Sequence, residues 1–600
     1  MRIVLVTLIL LAAQGTSAQT PAARAAVMRA LPVLQRSADV FVRERACVSC
    51  HHNVLPIMAL RLARERGVPV DQGILRTVED RTFRELRGTD ALDEAIQGVN
   101  LSDPTPNDSF LLMAAGAAGH PRDLVTEVYA RRLIAWQRED HWKTSDFRPP
   151  HSSSTFTATA TAVRAIRLYA PPELEAEARS AIGRATSWLT GAKTESTEDA
   201  AFRLLGLVWA DAPERARALA RGDLESRQTA DGGWPQLSAS RATGAGSAES
   251  DAYSTGQALV ALHTAGTPTD DRRWQRGLTF LLRTQARDGT WRVRTRMKSP
   301  ATVSPPYFDV AFPYQKDAFI SYAGTAWAVM ALLSVVPPQP SAPSPQISAA
   351  LPFPPWLRTA LFSPVTDLER LLDAGLSPQS ATPGGTPLLM ASATDPAKVA
   401  LLLERGADPA TRAPSGVDAL TVAASYRGTS ASVRRLLAAG APPAPPAGVR
   451  VTHTPLALAS MSGDLETATE LLARGAAPSA VGLAESITFD NPHITRLLLE
   501  RGADASIEER TGVTLLHWAV ITNRPDAIPL LVAAGLDVNR KDSFGFTPLM
   551  YAATINQGHT RLIGALLAAG ADRGVRNHEG RTAQEQARHL GHDALADALR

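Results

Sequence analysis

Apolar residues fall at helical spacing along nearly the whole chain, in two rhythms that divide it. A short apolar run, Ile3 to Ala13, follows Arg2 and precedes the small residues Thr16-Ser17-Ala18. From Ala25 to Arg45, Val27, Leu31, Leu34 and Val42 mark one helical face. A further helix is predicted from about Val54 to Arg66, stopped by Gly67 and Pro69. Beyond it, Ala/Leu-rich segments alternate with Gly/Pro/Asp loops as far as Val336: Ser109–Ala118, Thr155–Tyr169, Ala200–Trp209, Ser254–Ala265 and Gly324–Val335. Segments this apolar must pack on one another, with alternate ones buried. From about Leu361 a Leu-Leu-x-x-Gly signature takes over, its glycines at 375, 406, 440, 475, 502, 535 and 570. Their spacing runs from 27 to 35 residues, the range of helical repeat arrays. The Pro/Ser run Pro337 to Pro345 marks a linker, drawn over 337–356, whose prolines favour an extended spacer. The alternative is a strap docked through Phe353 and Trp356. The expected fold class is all-α.

Within the first rhythm one loop recurs. Gln228-Thr229-Ala230-Asp231-Gly232-Gly233-Trp234 and Gln285-Ala286-Arg287-Asp288-Gly289-Thr290-Trp291 share Q-x-x-D-G-x-W, and Gln137 to Trp142 is a degenerate copy. Glycine permits the turn, Gln and Asp satisfy helix ends, and Trp clamps the loop onto its neighbour. These loops resemble the QW motifs of squalene-hopene cyclases and related α/α-toroid proteins, over roughly residues 25–336. That resemblance implies a toroid with an apolar ligand cavity. Ser250-Asp251-Ala252-Tyr253-Ser254-Thr255 stands where cyclases carry their DxDD box, but only Asp251 matches. Tyr253 and Ser254 replace the other acids, so cyclase chemistry is not expected. Tyr314, Lys316 and Asp317, after Tyr307-Phe308-Asp309, read as a hydrogen-bonded strap or a ligand contact near the toroid mouth.

In the second rhythm, Thr386-Pro387-Leu388, Thr454-Pro455-Leu456, Thr514-Leu515-Leu516-His517 and Thr547-Pro548-Leu549 open the helices between the glycines. The pattern looks like ankyrin, about seven repeats over 357–600. His517 is expected to bond a neighbouring loop. Val481 to Asn491 departs from the pattern and predicts a short inner helix.

Sixty-two basic and fifty-nine acidic residues leave the charge near neutral, without the basic stripe that nucleic acid requires. Residues 1–18 read as a secretory signal, with an uncleaved anchor as the alternative, and no later segment suggests a membrane span. A periplasmic or otherwise exported protein is expected. The two cysteines, Cys47 and Cys50, form Cys-x-x-Cys-His with His51. This is the haem c attachment pattern: two thioethers and one axial imidazole. A local disulfide, a zinc site drawing on His51 or His52, and inert thiols remain as alternatives. For the opposite axial position the candidates are His151, ahead of Met113, His120 and His141; Met58 and His52 lie too near His51. No GxSxG, Walker or HExxH motif occurs. The sequence therefore points to a c-type haem toroid whose ankyrin array docks a protein partner, with redox or sensing work. Two alternatives stand beside it: a cavity acting on an apolar or terpenoid ligand, and a scaffold without haem.

Overall fold

The computed structural model describes residues 2–45, 50–88, 90–99, 103–145, 151, 153–238, 248–297, 310–339, 353–446, 448–449 and 451–600. The side chains of residues 2–18, Cys50, His51 and Pro104 lie outside that description.

Among the described residues the first module holds fourteen α-helices. They are α1 (Arg2–Glu44), α2 (Leu55–Glu65), α3 (Gln72–Thr82), α4 (Arg84–Arg87), α5 (Ala91–Gln97), α6 (Pro104–Ala117) and α7 (Leu124–Ala135). There follow α8 (Thr155–Tyr169), α9 (Glu175–Gly191), α10 (Thr197–Trp209), α11 (Glu214–Ser226), α12 (Ala252–Thr264), α13 (Arg272–Thr284) and α14 (Ala318–Leu333). Helices α6, α8, α10, α12, α14 and α2 pack in that order and close a ring, with α1, α3, α7, α9, α11 and α13 outside it. The division follows composition. α14 is apolar around its whole circumference and almost wholly buried, whereas α11 buries only Ala216, Ala220 and Leu224. This is the all-α toroid-like domain expected from the alternating segments.

The QW loops hold the outer layer to the ring. Trp234 Nε1 donates to Leu224 O (2.8 Å) and Trp291 Nε1 to Leu281 O (2.9 Å), each satisfying the end of the preceding outer helix. Gln228 Nε2 donates to Arg273 O (2.8 Å), at the start of the next outer helix. Gln285 Nε2 does the same to Ala26 O of α1 (2.8 Å), so α1 closes the circle. The degenerate copy behaves alike: Gln137 Nε2 reaches Ala181 O of α9 (2.8 Å), and Trp142 Nε1 bonds Leu133 O (2.7 Å). Asp231 and Asp288 accept from Gly233 N (2.9 Å) and Thr290 N (3.0 Å). Gly289 has φ +88°, and a Cβ there would lie 2.3 Å from Arg29 O, so the turn and the close approach both require glycine.

The second module is the ankyrin-repeat array, eight helix pairs among the described residues. The seven signature glycines all have positive φ and end outer helices. The eighth pair, Ala583–His589 and Asp593–Ala598, lacks the Leu-Leu-x-x-Gly signature and closes the stack. His517 Nε2 lies 3.0 Å from Phe546 O in the next repeat, as its position in the motif implies. The expectation for 481–491 is corrected: helix Ala480–Thr488 has nine residues, more than its counterpart Leu388–Ala391. What is short there is the finger loop. That helix begins five residues after Gly475, whereas thirteen separate Gly502 from Leu515. Ser479 takes over the cap, accepting from Gly482 N at 3.0 Å.

The array lies along the toroid. Trp136 Nε1 donates to Ser425 O (2.9 Å), Arg138 Nη2 to Met461 O and Phe489 O (3.2 Å each), and Arg524 Nη2 to Thr144 O (2.9 Å). Lys143 pairs with Asp490, Gln97 Nε2 donates to Thr386 Oγ1 (2.7 Å), and Asn556 N donates to Arg296 O (3.1 Å). Several of the acceptors are carbonyls at the ends of inner ankyrin helices, the negative poles of their dipoles. Within the 337–356 linker, Gln339 N bonds Glu65 O (3.1 Å), Phe353 packs against the core, and Trp356 already opens helix Trp356–Leu361. Residues 340–352 of that segment lie outside the described residues.

Candidate functional site

The first turns of the inner helices meet at one end of the ring. Asp103, Ser154, Ser196 and Asp251 cap α6, α8, α10 and α12, accepting from Thr105 N, Phe156 N, Asp199 N and Ser254 N. With the backbone ends satisfied, the neighbouring side chains are available to one another. Tyr253 Oη donates to Glu198 Oε2 at 2.8 Å, and Thr157 Oγ1 donates to Glu198 Oε1 at 2.6 Å. His151 Nδ1 lies 3.1 Å from the same Tyr253 oxygen. Three separate elements thus build a buried His–Tyr–Glu chain. Beside it, the turn Cys50–Val54 brings in His52, stacked on Tyr322 with ring centres 4.0 Å apart and on Phe41 at 4.8 Å.

Burial sets the protonation here. It pushes Glu198 up to about 7, against the opposing pull of His151, Thr157 and Tyr253. Asp251 is pushed up to about 6 by burial, despite hydrogen bonds from Ser254 N and Gln236. Burial, then the neighbouring His151, pushes His52 down to about 3, so it is neutral. Such a chain holds a proton near neutral pH.

The sequence-based candidates sort clearly. Cys47 lies outside the described residues; Cys50 and His51 have described backbone only, in the π-type turn that opens α2. His151 sits at the ring mouth, close enough to His52 for their charges to interact. His120 is at the far end of α6, 3.2 Å from Asp123 Oδ2, and His141 stacks on Trp188 in a QW-type turn. Met113 is buried within α6 and Met58 half-buried in α2. Asp251 acts as a helix cap, and Tyr253 belongs to the His–Tyr–Glu chain. Tyr314 and Asp317 form the strap: Tyr314 Oη meets Thr290 Oγ1 at 2.8 Å, and Asp317 accepts from Thr295 N at 3.0 Å. Lys316 is exposed, and Tyr307 to Asp309 lie outside the described residues. Among the described residues no group of three His, Cys, Asp or Glu side chains is placed to hold a metal ion. Sequence reading missed Glu198, Thr157 and Gln236. Ser196-Thr197-Glu198-Asp199 presents itself as a capping box closed by Asp199, which hides the inward acid beside it.

A family model described as ankyrin repeats matches residues 483–577 in three copies, and one described as the squalene-hopene cyclase C-terminal domain matches residues 204–323. Palmitoyltransferase Hip14 of Drosophila melanogaster is 41% identical over 86 residues, 14% of this chain and 13% of that protein. Ankyrin repeat domain-containing protein 63 of Mus musculus is 34% identical over 124 residues, 20% of this chain and 31% of that protein. The chain thus spans less than a third of the length of either relative. The ankyrin repeats are a protein-interaction module, and among the described residues no helix is long and apolar enough to cross a membrane.

Proposed function

We propose that the chain is an exported c-type haem protein working in electron transfer or redox sensing, with its haem held at the toroid mouth. The observation that carries this reading is that the turn bearing Cys50 and His51 also carries His52, which lies within electrostatic reach of His151 at the head of the His151–Tyr253–Glu198 chain. The donor set fits the group. Cys47 and Cys50 would supply the thioether sulfurs, and His51 and His151 would supply imidazoles to the iron, with the rings of Phe41, Phe110 and Tyr322 nearby. A bound haem supplies a one-electron iron centre. The chain's own part is positional: Tyr253 fixes the orientation of His151, and Glu198 anchors Tyr253 while keeping a proton in reserve. The ankyrin array then presents the toroid to a protein partner, since repeat stacks offer surfaces without catalytic groups of their own.

The expected result is a Soret and α/β-band spectrum of a six-coordinate low-spin c-type haem in full-length protein made with active cytochrome c maturation. His151→Ala should convert it to a high-spin spectrum with haem content unchanged. A low-spin spectrum surviving in His151→Ala would remove His151 from the iron. Binding of an apolar ligand without cyclase chemistry is the second reading, favoured by the meeting of Phe202 and Trp327 inside the ring (6.0 Å).

A further inference from the structure

A polar cleft runs between the toroid and the ankyrin array as two connected chambers of about 330 and 260 Å³. Ser153, Thr155, Asn523, Gln557 and Arg561 line both. Toroid and array each contribute cations: Arg296 and Lys193 from one wall of the larger chamber, Arg561 from the other. Lys193 and Arg561 are exposed and make no hydrogen bond or ion pair among the described residues. Arg296 is only 8% exposed; Nη1 donates to Asn556 O, and Nε has no partner among the described residues. Burial pushes the Arg296 guanidinium below its ordinary value, and the nearby Glu198, Asp199 and Asp251 carboxylates answer only part of that cost.

The carboxylates nearby are largely engaged elsewhere. Asp199 accepts from Glu195 N (2.8 Å), Ser196 N (2.9 Å) and the Ser154 hydroxyl, while Asp490 pairs with Lys143. Glu195 stays on the same wall and Asp526 borders the second chamber, which argues against a ligand of high charge. The first turn of α8, a fifteen-residue helix, opens into the cleft and adds positive potential. Neutral hydrogen-bonding capacity is also present and unused. Asn523 Oδ1 accepts nothing and Gln557 Nε2 donates to nothing among the described residues, and the Ser153 and Thr155 hydroxyls stand beside them.

We infer that this cleft binds a small hydroxylated anion, of the sugar phosphate or sugar acid class. Its anionic group lies against Arg296, Lys193 and Arg561, with its hydroxyls on Asn523 and Gln557. A ligand seated there touches both modules, so it fastens the array to the toroid. The cleft borders the ring mouth through Ser154, Ser196 and Asp199, but none of the proposed haem-binding residues lines it.

Calorimetric titration of the full-length protein with glucose 6-phosphate, gluconate, inorganic phosphate and glucose tests this, beside the double variant Lys193→Gln/Arg561→Gln. Both substituted residues are exposed, so the variant should melt like the parent without ligand. Saturable binding of glucose 6-phosphate or gluconate is expected, and whichever binds more tightly identifies the anionic group. Glucose should not bind, inorganic phosphate should bind more weakly, and the variant should lose at least about tenfold in affinity. No saturable binding by any probe up to about 10 mM, or equal binding by parent and variant, overturns the inference. Inorganic phosphate binding as tightly as both sugars also overturns it.

Discussion

Replacing Trp291 with alanine should destabilise the toroid by about 3–5 kcal/mol, the usual cost of removing a buried aromatic from a packed site. Its indole is 1% exposed and lies between outer and inner layers, and Nε1 satisfies Leu281 O at the end of α13. The loss therefore combines a cavity with an unsatisfied carbonyl. This loop also closes the ring, because Gln285 hands the outer layer on to α1 through Ala26 O. Gln285→Ala removes only that bridge and should cost about 1 kcal/mol. Urea unfolding followed by far-ultraviolet circular dichroism reads both. Equal effects from the two substitutions would contradict the view that the tryptophan, rather than the bridge, carries the stapling energy.

The second large effect is expected from Glu198→Gln, and its sign depends on pH. Glu198 titrates at 4.5 when the chain is unfolded and at about 7 when folded, so the folded state holds the proton more tightly. Stability from this group is fully present below pH 4.5 and is lost as pH rises through 7, by up to about 3 kcal/mol. Glutamine never ionises, and its carbonyl still accepts one of the two hydroxyl bonds. The variant should match the parent near pH 4.5 and exceed it by about 2–3 kcal/mol near pH 8. Asp251, raised from 3.8 to about 6, imposes a loss of the same sign at lower pH, and that loss should persist in the variant. Denaturation midpoints of parent and variant that run parallel from pH 4.5 to 8 would contradict a buried, proton-holding Glu198.

What was legible in the sequence was whatever repeats. The Trp–Gln–Gly loops and the Leu-Leu-x-x-Gly glycines each solve one local problem many times, so their roles are readable from spacing alone. The structure agrees at Trp234, Gln285 and His517. The ring mouth is different, because it is assembled once from elements far apart in the chain. Tyr253 read as a missing acid and is instead the link between His151 and Glu198. Glu198 was hidden because its neighbour Asp199 completes a capping box that already accounts for the segment. The docked array was hidden for a similar reason. Arg138, Lys143 and Arg524 look like solvated surface charge until folding sets Arg138 against helix ends of the array, Lys143 against Asp490, and Arg524 against Thr144 O of the toroid. The short finger after Gly475 was visible as a spacing of 27 residues, but spacing does not say whether loop or helix was lost.

The haem proposed at Cys47 and Cys50 would be covalently attached. The most direct test is a denaturing gel of the full-length protein, exported from cells with active cytochrome c maturation and stained for haem peroxidase, beside Cys47→Ala/Cys50→Ala. A haem-staining band at the full-length position that disappears in the variant is the predicted result. Full-length protein that never stains, while a control cytochrome c from the same cells does, would contradict it and leave an ankyrin scaffold without haem.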